Sequence, residues 1–199
     1  MKNRNIKHSD HWLTPRIFFD KLNEKYNFNL DPCPAYHDIR EWDGLKIDWD
    51  SRNFINPPYS QKSKEAFVIK AIHESKKGKL CVMLLPVSTS TKLFHEIILP
   101  EKPKVKFIKG RLPFIGQNEK GQIVNSEKPT QELIEWTDEE GEITLISKHV
   151  KNSGQHDSML VVFDGRSASD KAKFLIDRFI KRDVRGWIVA IQNKQGKLF

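Results

Sequence analysis

Leu80-Cys81-Val82-Met83-Leu84-Leu85 is an unbroken apolar run of strand length, closed by Pro86. A strand without polar alternation has both faces buried, as expected for the centre of a parallel sheet covered on both sides. The flanking chain fits that frame. Asn53-Phe54-Ile55 reads as a short buried strand, and Ser63 to Lys76 as a helix with Ala66, Phe67, Ile69 and Ile72 on a mixed face. Phe28–Asp31 and Val105–Ile108 read as further strands, with a brief strand around Leu45–Ile47. In Trp12-Leu13-Thr14-Pro15, Thr14 suits a helix N-cap and Pro15 the first helical position, ahead of Ile17, Phe18 and Leu22. Thr89 or Ser90 can cap a helix running to about Leu99. Strands alternating with helices predict an α/β fold with helices on both faces of the sheet.

The rhythm breaks at Gly110. Residues 110–150 carry Gly110, Gly116, Gly121 and Gly141, many charges, and short β-like pieces at Leu133–Trp136 and Ile143–Ile146. This predicts a β-rich insertion. Ser158–Phe163 returns to core-strand character, and Ala172 to Lys181 has helical amphipathicity. Trp187–Ile191 is a last apolar run, suited to an edge strand or an oligomer contact. The expected organisation is a flexible, polar segment 1–11 followed by one domain, 12–199, that contains the insertion.

Asn56-Pro57-Pro58-Tyr59 lies at the expected C-terminal end of the 53–55 strand, where α/β sheets place ligands. The tetrapeptide suits one chemical problem. The exocyclic amine of adenine is a poor nucleophile because its lone pair is delocalised into the ring. An Asn side-chain oxygen and the carbonyl of Pro57 can accept its two hydrogens and localise that pair. Consecutive prolines stiffen the loop, and Tyr59 offers a face on which an extruded base can stack. An Asn-Pro turn after a strand is the plainer alternative.

Composition narrows the partners. The chain has 199 residues, 38% hydrophobic and 30% charged, which suits a soluble globular protein. No apolar run approaches the roughly 20 residues of a membrane helix, and the basic N-terminus lacks the apolar core of a signal peptide. A net charge of +8 favours a polyanionic partner such as a nucleic acid, while Lys76, Lys77 and Lys79 read as solvating a helix end. Cys33 and Cys81 have neither metal-ligand nor disulfide-framework spacing, and no histidine pairs with Cys or Glu at ligand spacing, so no metal is expected. A reducing cytosol is the expected compartment.

Together the motifs form an ordered set: Trp12-Leu13-Thr14-Pro15, Leu30-Asp31-Pro32-Cys33, Asp43-Gly44-Leu45, Asn56-Pro57-Pro58-Tyr59-Ser60, Leu84-Leu85-Pro86 and Gly110-Arg111-Leu112-Pro113-Phe114. In kind, order and spacing, over roughly residues 12 to 163, this resembles the phage-type (Dam-like) DNA N6-adenine methyltransferases. The resemblance implies S-adenosylmethionine as cofactor on a Rossmann-like sheet, duplex DNA as partner with the target adenine flipped out, and residence in a host cytosol. It places Asp31-Pro32-Cys33 at the cofactor turn and Asp43 near the adenosine. It brings Trp12, Thr14 and Pro15 over the methionine end, and puts Asn56 at both cofactor and amine. Tyr59, Ser60, Lys62 and Arg111 are the expected DNA-facing residues.

S-adenosylmethionine carries an ammonium, a sulfonium and a ribose, so carboxylates such as Asp31 and Asp43 are suitable partners. The phosphate-cradling Gly-x-Gly-x-x-Gly is absent, which argues against a nicotinamide enzyme. Other readings stand beside these: either Asp as a turn former, Trp12 as a core aromatic, Arg111 in an exposed salt bridge. The same Asn-Pro-Pro-Tyr chemistry also serves methylation of RNA adenine or of a protein glutamine amide. A DNA-binding relative without catalysis is the rival from another class.

Overall fold

A computed structural model of the chain describes residues 12–34, 42–117, 122–125, 133–137, 143–147, 149–151 and 156–177. The expectations for residues 1–11 and Trp187–Ile191 lie outside these, as does the end of the helix expected to reach Lys181. The chain divides into two units, Met1–Asp164 and Gly165–Phe199.

In the first unit, helix α1 (Arg16–Tyr26) is followed by strand β1 (Arg52–Ile55), helix α2 (Gln61–Lys76) and strand β2 (Leu80–Pro86). A π-helical turn (Leu93–Ile98) and a 3-10 turn (Leu99–Glu101) lead into β3 (Lys104–Phe107). The segment after Gly110 contains β4 (Gly116–Gln117), β5 (Ile123–Val124), β6 (Leu133–Thr137), β7 (Ile143–Ser147) and β8 (His149–Val150). Strand β9 (Ser158–Asp164) then returns to the main sheet, whose order is β1-β2-β9-β3.

β1 runs parallel to β2, while β9 is antiparallel to both β2 and β3. The sheet is therefore mixed, and the purely parallel surroundings expected for β2 are found on its β1 side only. The expected two-sided burial is present: every residue of β2 is buried. Cys81, Met83 and Leu85 join α2 residues Phe67, Val68 and Ile72 on one face. Leu80, Val82 and Leu84 join Leu22 and Phe18 of α1 on the other. This parity of adjacent residues is the pleat made visible, and each such side chain contributes about 1.5–3 kcal/mol by leaving water. The result is a mixed α/β fold with helices packed on both faces.

Several local expectations change. Thr14 is not the N-cap of α1; Pro15 holds that position, its carbonyl accepting from the Phe18 and Phe19 amides at 3.0 Å each. The Thr14 hydroxyl is engaged elsewhere. The strand expected at Phe28–Asp31 shrinks to one parallel bridge, Leu30 to Asn53. Leu45–Ile47 is a turn, because the Lys46 and Ile47 amides bond back to the Asp43 carbonyl at 2.8 and 3.1 Å. The helix expected after Thr89 or Ser90 is a short π-helix behind Thr91, whose carbonyl accepts from Phe94 and His95 at 3.1 Å.

Lys76, Lys77 and Lys79 do more than solvate a helix end. Lys77 and Lys79 pair with the buried Glu74, and Lys76 with Glu101 at 2.7 Å. Burial alone would raise the Glu74 carboxyl pKa, but the bonds from Lys77 and Lys79 hold it below its ordinary value.

After Gly110, β4 pairs with β5 and β5 with β8, and β6 and β7 form an antiparallel hairpin. In the second unit a helix runs through residues 168–177, starting earlier than Ala172, with the Ser167 hydroxyl accepting the Asp170 amide at 3.1 Å. Among the described residues no helix is long and apolar enough to cross a membrane, and no three His, Cys, Asp or Glu gather as metal ligands.

Candidate active site

Asn56-Pro57-Pro58-Tyr59 emerges directly from the C-terminal end of β1, and α2 begins at Gln61. Buried Phe54 and Ile55 anchor the strand on both faces of the sheet, so the loop leaves a fixed point. Asn56 is oriented from the N-terminal side. Its Nδ2 donates to the Trp12 carbonyl at 3.0 Å and to the Thr14 hydroxyl at 3.2 Å. Its Oδ1 is buried and has no partner among the described residues. A buried acceptor left open costs stability, so this atom is suited to receive a donor from outside the described contacts.

The expected cofactor turn meets the same loop. The Asp31 carboxylate accepts the Cys33 amide at 2.9 Å, a local turn closed by a side chain. The Cys33 thiol is buried beneath it, and the Asn56 backbone amide hydrogen-bonds the sulfur. Burial first, and then the Asp31 charge, push this thiol well above its ordinary pKa, so it stays protonated. Cys33 thus links the turn to Asn56 from inside the core.

The segment carrying Asp43 lies against Pro32. Trp42 Nε1 donates to the Pro32 carbonyl at 3.1 Å, and a Cβ on Gly44 would stand 1.9 Å from that oxygen, so only glycine fits. The Asp43 carboxylate accepts the Leu45 amide at 3.0 Å and pairs with Lys46 at 3.2 Å. Those contacts, the backbone amide first, hold its pKa below the ordinary value. Trp49 Nε1 fastens the turn from below by donating to the Gly44 carbonyl at 2.8 Å. Asp31 and Asp43 therefore flank one close backbone contact, although each also serves its own turn.

Tyr59 is half-buried, with its hydroxyl inside and without a partner among the described residues. Burial raises its pKa far above the ordinary phenol value, with a smaller contribution from Cys33. Its ring meets Phe114 edge-on, with centroids 6.2 Å apart and planes at 87°. The N-terminal segment reaches the same neighbourhood: Leu13 and Ile115 exchange backbone bonds of 2.9 and 3.1 Å. The Trp12 ring lies on Gly116, where a Cβ would come within 2.4 Å of it.

The remaining expected residues stand apart. Ser60 is the residue before α2, its carbonyl accepting the Lys64 amide at 2.9 Å. Lys62 is exposed in the first turn of α2. Arg111 pairs with Asp157 at 3.4 Å, both side chains exposed, which is the salt-bridge alternative rather than a free cation. Sequence reasoning missed Lys64. It is half-buried beside Leu85, Pro86 and Phe94, and desolvation lowers its pKa. Its place in the first turn of α2, after Tyr59, was the available signal. Phe114 ends the Gly110–Phe114 motif, and only the fold brings it to Tyr59.

The chain is similar to known proteins. Residues 2–159 match the family model described as DNA N-6-adenine-methyltransferase (Dam). A protein of Haemophilus phage HP1 (strain HP1c1) named DNA N-6-adenine-methyltransferase is 35% identical over 147 residues, 67% of this chain and 83% of the relative. No solved structure gives a significant match.

Proposed function

Since the chain belongs to the DNA N-6-adenine-methyltransferase (Dam) family, we propose that it transfers a methyl group from S-adenosylmethionine to the N6 amine of an adenine flipped out of duplex DNA. The observation that carries the site assignment is the Asn56 carboxamide, whose nitrogen is tied while its buried oxygen stays open. That oxygen and the Pro57 carbonyl accept the two amine hydrogens, which concentrates the nitrogen lone pair where attack requires it. Tyr59 carries the flipped base on its face, and Phe114 buttresses the ring from the side.

In this reading the sheet is Rossmann-like, with the cofactor beyond the C-terminal ends of its parallel strands. The residues at the turn fit a cationic cofactor by chemistry: the Asp31 and Asp43 carboxylates flank the contact between Pro32 and Gly44. When bound, S-adenosylmethionine supplies an electrophilic methyl on a sulfonium. Asp31 and Asp43 would hold its ammonium and ribose groups and Pro32 and Cys33 would shape the floor, while Trp12 and Thr14, ahead of Pro15, hold Asn56. Ser60 and Lys62 face the duplex, Arg111 stays paired with Asp157, and the strands after Gly110 select the target sequence.

Transfer of labelled methyl from S-adenosylmethionine to duplex DNA, RNA and glutamine-bearing protein in parallel tests the proposal. Label in DNA alone, recovered as N6-methyladenine, supports it. Label in RNA or protein alone rejects the substrate, and label in none rejects the activity.

A further inference from the structure

The two ends of the Asn56 carboxamide are used unequally. Both bonds of Nδ2 go to acceptors on one short segment, the Trp12 carbonyl and the Thr14 hydroxyl. Exchanging the two ends would set the amide oxygen against the Trp12 carbonyl, acceptor to acceptor, and leave the NH2 group in the buried position that Oδ1 occupies. The segment therefore selects one of the two orientations of the side chain, the one that leaves the acceptor open.

The segment is itself held from three directions. Leu13 is bridged to Ile115 by reciprocal backbone bonds of 2.9 and 3.1 Å. The Trp12 ring rests on the bare backbone of Gly116. Beyond Thr14, Pro15 opens α1, whose Leu22 is packed into the core. The Thr14 hydroxyl is free for this task because Thr14 does not cap the helix.

We propose that Trp12–Thr14 is a positioning element, and Thr14 a positioning residue, that fixes the Asn56 carboxamide with its oxygen presented to the adenine amine. This rests on the proposed function, and it gives Thr14 a role through Asn56 rather than on the cofactor. The element also joins the methylating loop to the chain just after Gly110, since the residues that clamp Leu13 and Trp12 are Ile115 and Gly116.

The test is a double-mutant cycle in steady-state methylation of duplex DNA. Thr14→Val keeps the β-branched shape and removes the hydroxyl. It should lower kcat about tenfold, as for one lost hydrogen bond that leaves a buried donor unpaired, with the KM for S-adenosylmethionine unchanged. Thr14→Ser should restore turnover to within about threefold of wild type. In an Asn56→Ala background Thr14→Val should have no further effect, because residues acting as a unit are non-additive. Gly116→Ala, which pushes on the Trp12 ring from the other side, should repeat the loss in kcat alone and serves if Thr14→Val does not fold.

A raised KM for S-adenosylmethionine with kcat intact would make Thr14 a cofactor contact and overturn the proposal, as would effects that multiply in the double variant or wild-type kinetics of Thr14→Val. Near-normal turnover of Asn56→Ala alone would instead remove the proposed function, a separate outcome.

Discussion

The ring of Tyr59 stands edge-on to the ring of Phe114, with centroids 6.2 Å apart. The contact joins the loop after β1 to the chain that follows Gly110. It holds an aromatic face in place while the buried Tyr59 hydroxyl makes no bond among the described residues. In the proposed function the ring is the working part of Tyr59.

Tyr59→Phe should accordingly keep most activity and should not destabilise the fold, since it removes a buried hydroxyl with no partner among the described residues. Tyr59→Ala removes the stacking face and should weaken productive DNA engagement about ten- to a hundredfold, for a stacked base worth roughly 1–3 kcal/mol. Methylation kinetics of the two variants on one duplex check this. Equal damage from both would mean the hydroxyl, not the ring, is the working group.

Asp31 closes its own turn, and in the proposed function it also binds a cationic cofactor. Asp31→Asn keeps an oxygen for the Cys33 amide and discards the charge. If the charge meets the cofactor, Asp31→Asn should weaken S-adenosylmethionine about ten- to a hundredfold, a loss of roughly 1.5–3 kcal/mol, with thermal stability little changed. Calorimetric titration giving wild-type affinity for Asp31→Asn would leave Asp31 as a turn residue alone.

The strands after Gly110 offer a sharper cut than the whole insertion. Since β4, β5 and β8 pair among themselves and β6 with β7, the hairpin can be removed as a unit. Replacing residues 133–147 by a short Gly-Ser linker should preserve cofactor affinity and abolish discrimination between target and non-target duplexes. Salt-sensitive, non-specific binding should suffer less, because phosphate contacts set affinity and base contacts set choice. Unchanged site selection by the shortened protein would place recognition elsewhere, with the Tyr59–Lys64 segment next in line.

The buried Glu74 predicts a pH dependence with a definite sign. Its folded-state pKa is held below the ordinary value, by Lys77 and Lys79 acting against the cost of burial. The stability it contributes is therefore complete above the ordinary glutamate pKa and is lost as pH falls through the depressed one. Glu74→Gln should cost about 1.5–3 kcal/mol at pH 7, and the gap from wild type should narrow in acid. Urea unfolding at pH 7 and pH 3 reads it; a gap equal at both would mean the pairs contribute nothing through charge.

Much of the fold was legible because its signals are local. The unbroken run at Leu80–Leu85 announced a strand buried on both faces, and the sequence placed Asn56 at a strand end. What was not legible depends on partners distant in the chain. Nothing near β9 tells that it enters the sheet antiparallel between β2 and β3. Leu45–Ile47 has strand-like residues, but the Asp43 carboxylate and carbonyl capture its amides into a turn. Thr14-Pro15 has the composition of a cap, and the hydroxyl is instead claimed by Asn56, 42 residues away. At the site, the tetrapeptide and the Asp31 turn could be read from residue types; the meeting of Tyr59 with Phe114 required the fold.

Single-turnover methyl transfer by wild type and Asn56→Ala decides whether Asn56 presents an acceptor to the amine of a DNA adenine. With saturating S-adenosylmethionine and an adenine-containing duplex, wild type should yield N6-methyladenine by mass spectrometry. Asn56→Ala should be slower by at least about a hundredfold, the loss of one preorganised transition-state hydrogen bond, with cofactor affinity little changed. A near-normal rate for Asn56→Ala, or a methyl group found anywhere but N6 of adenine, would rule out this role for Asn56.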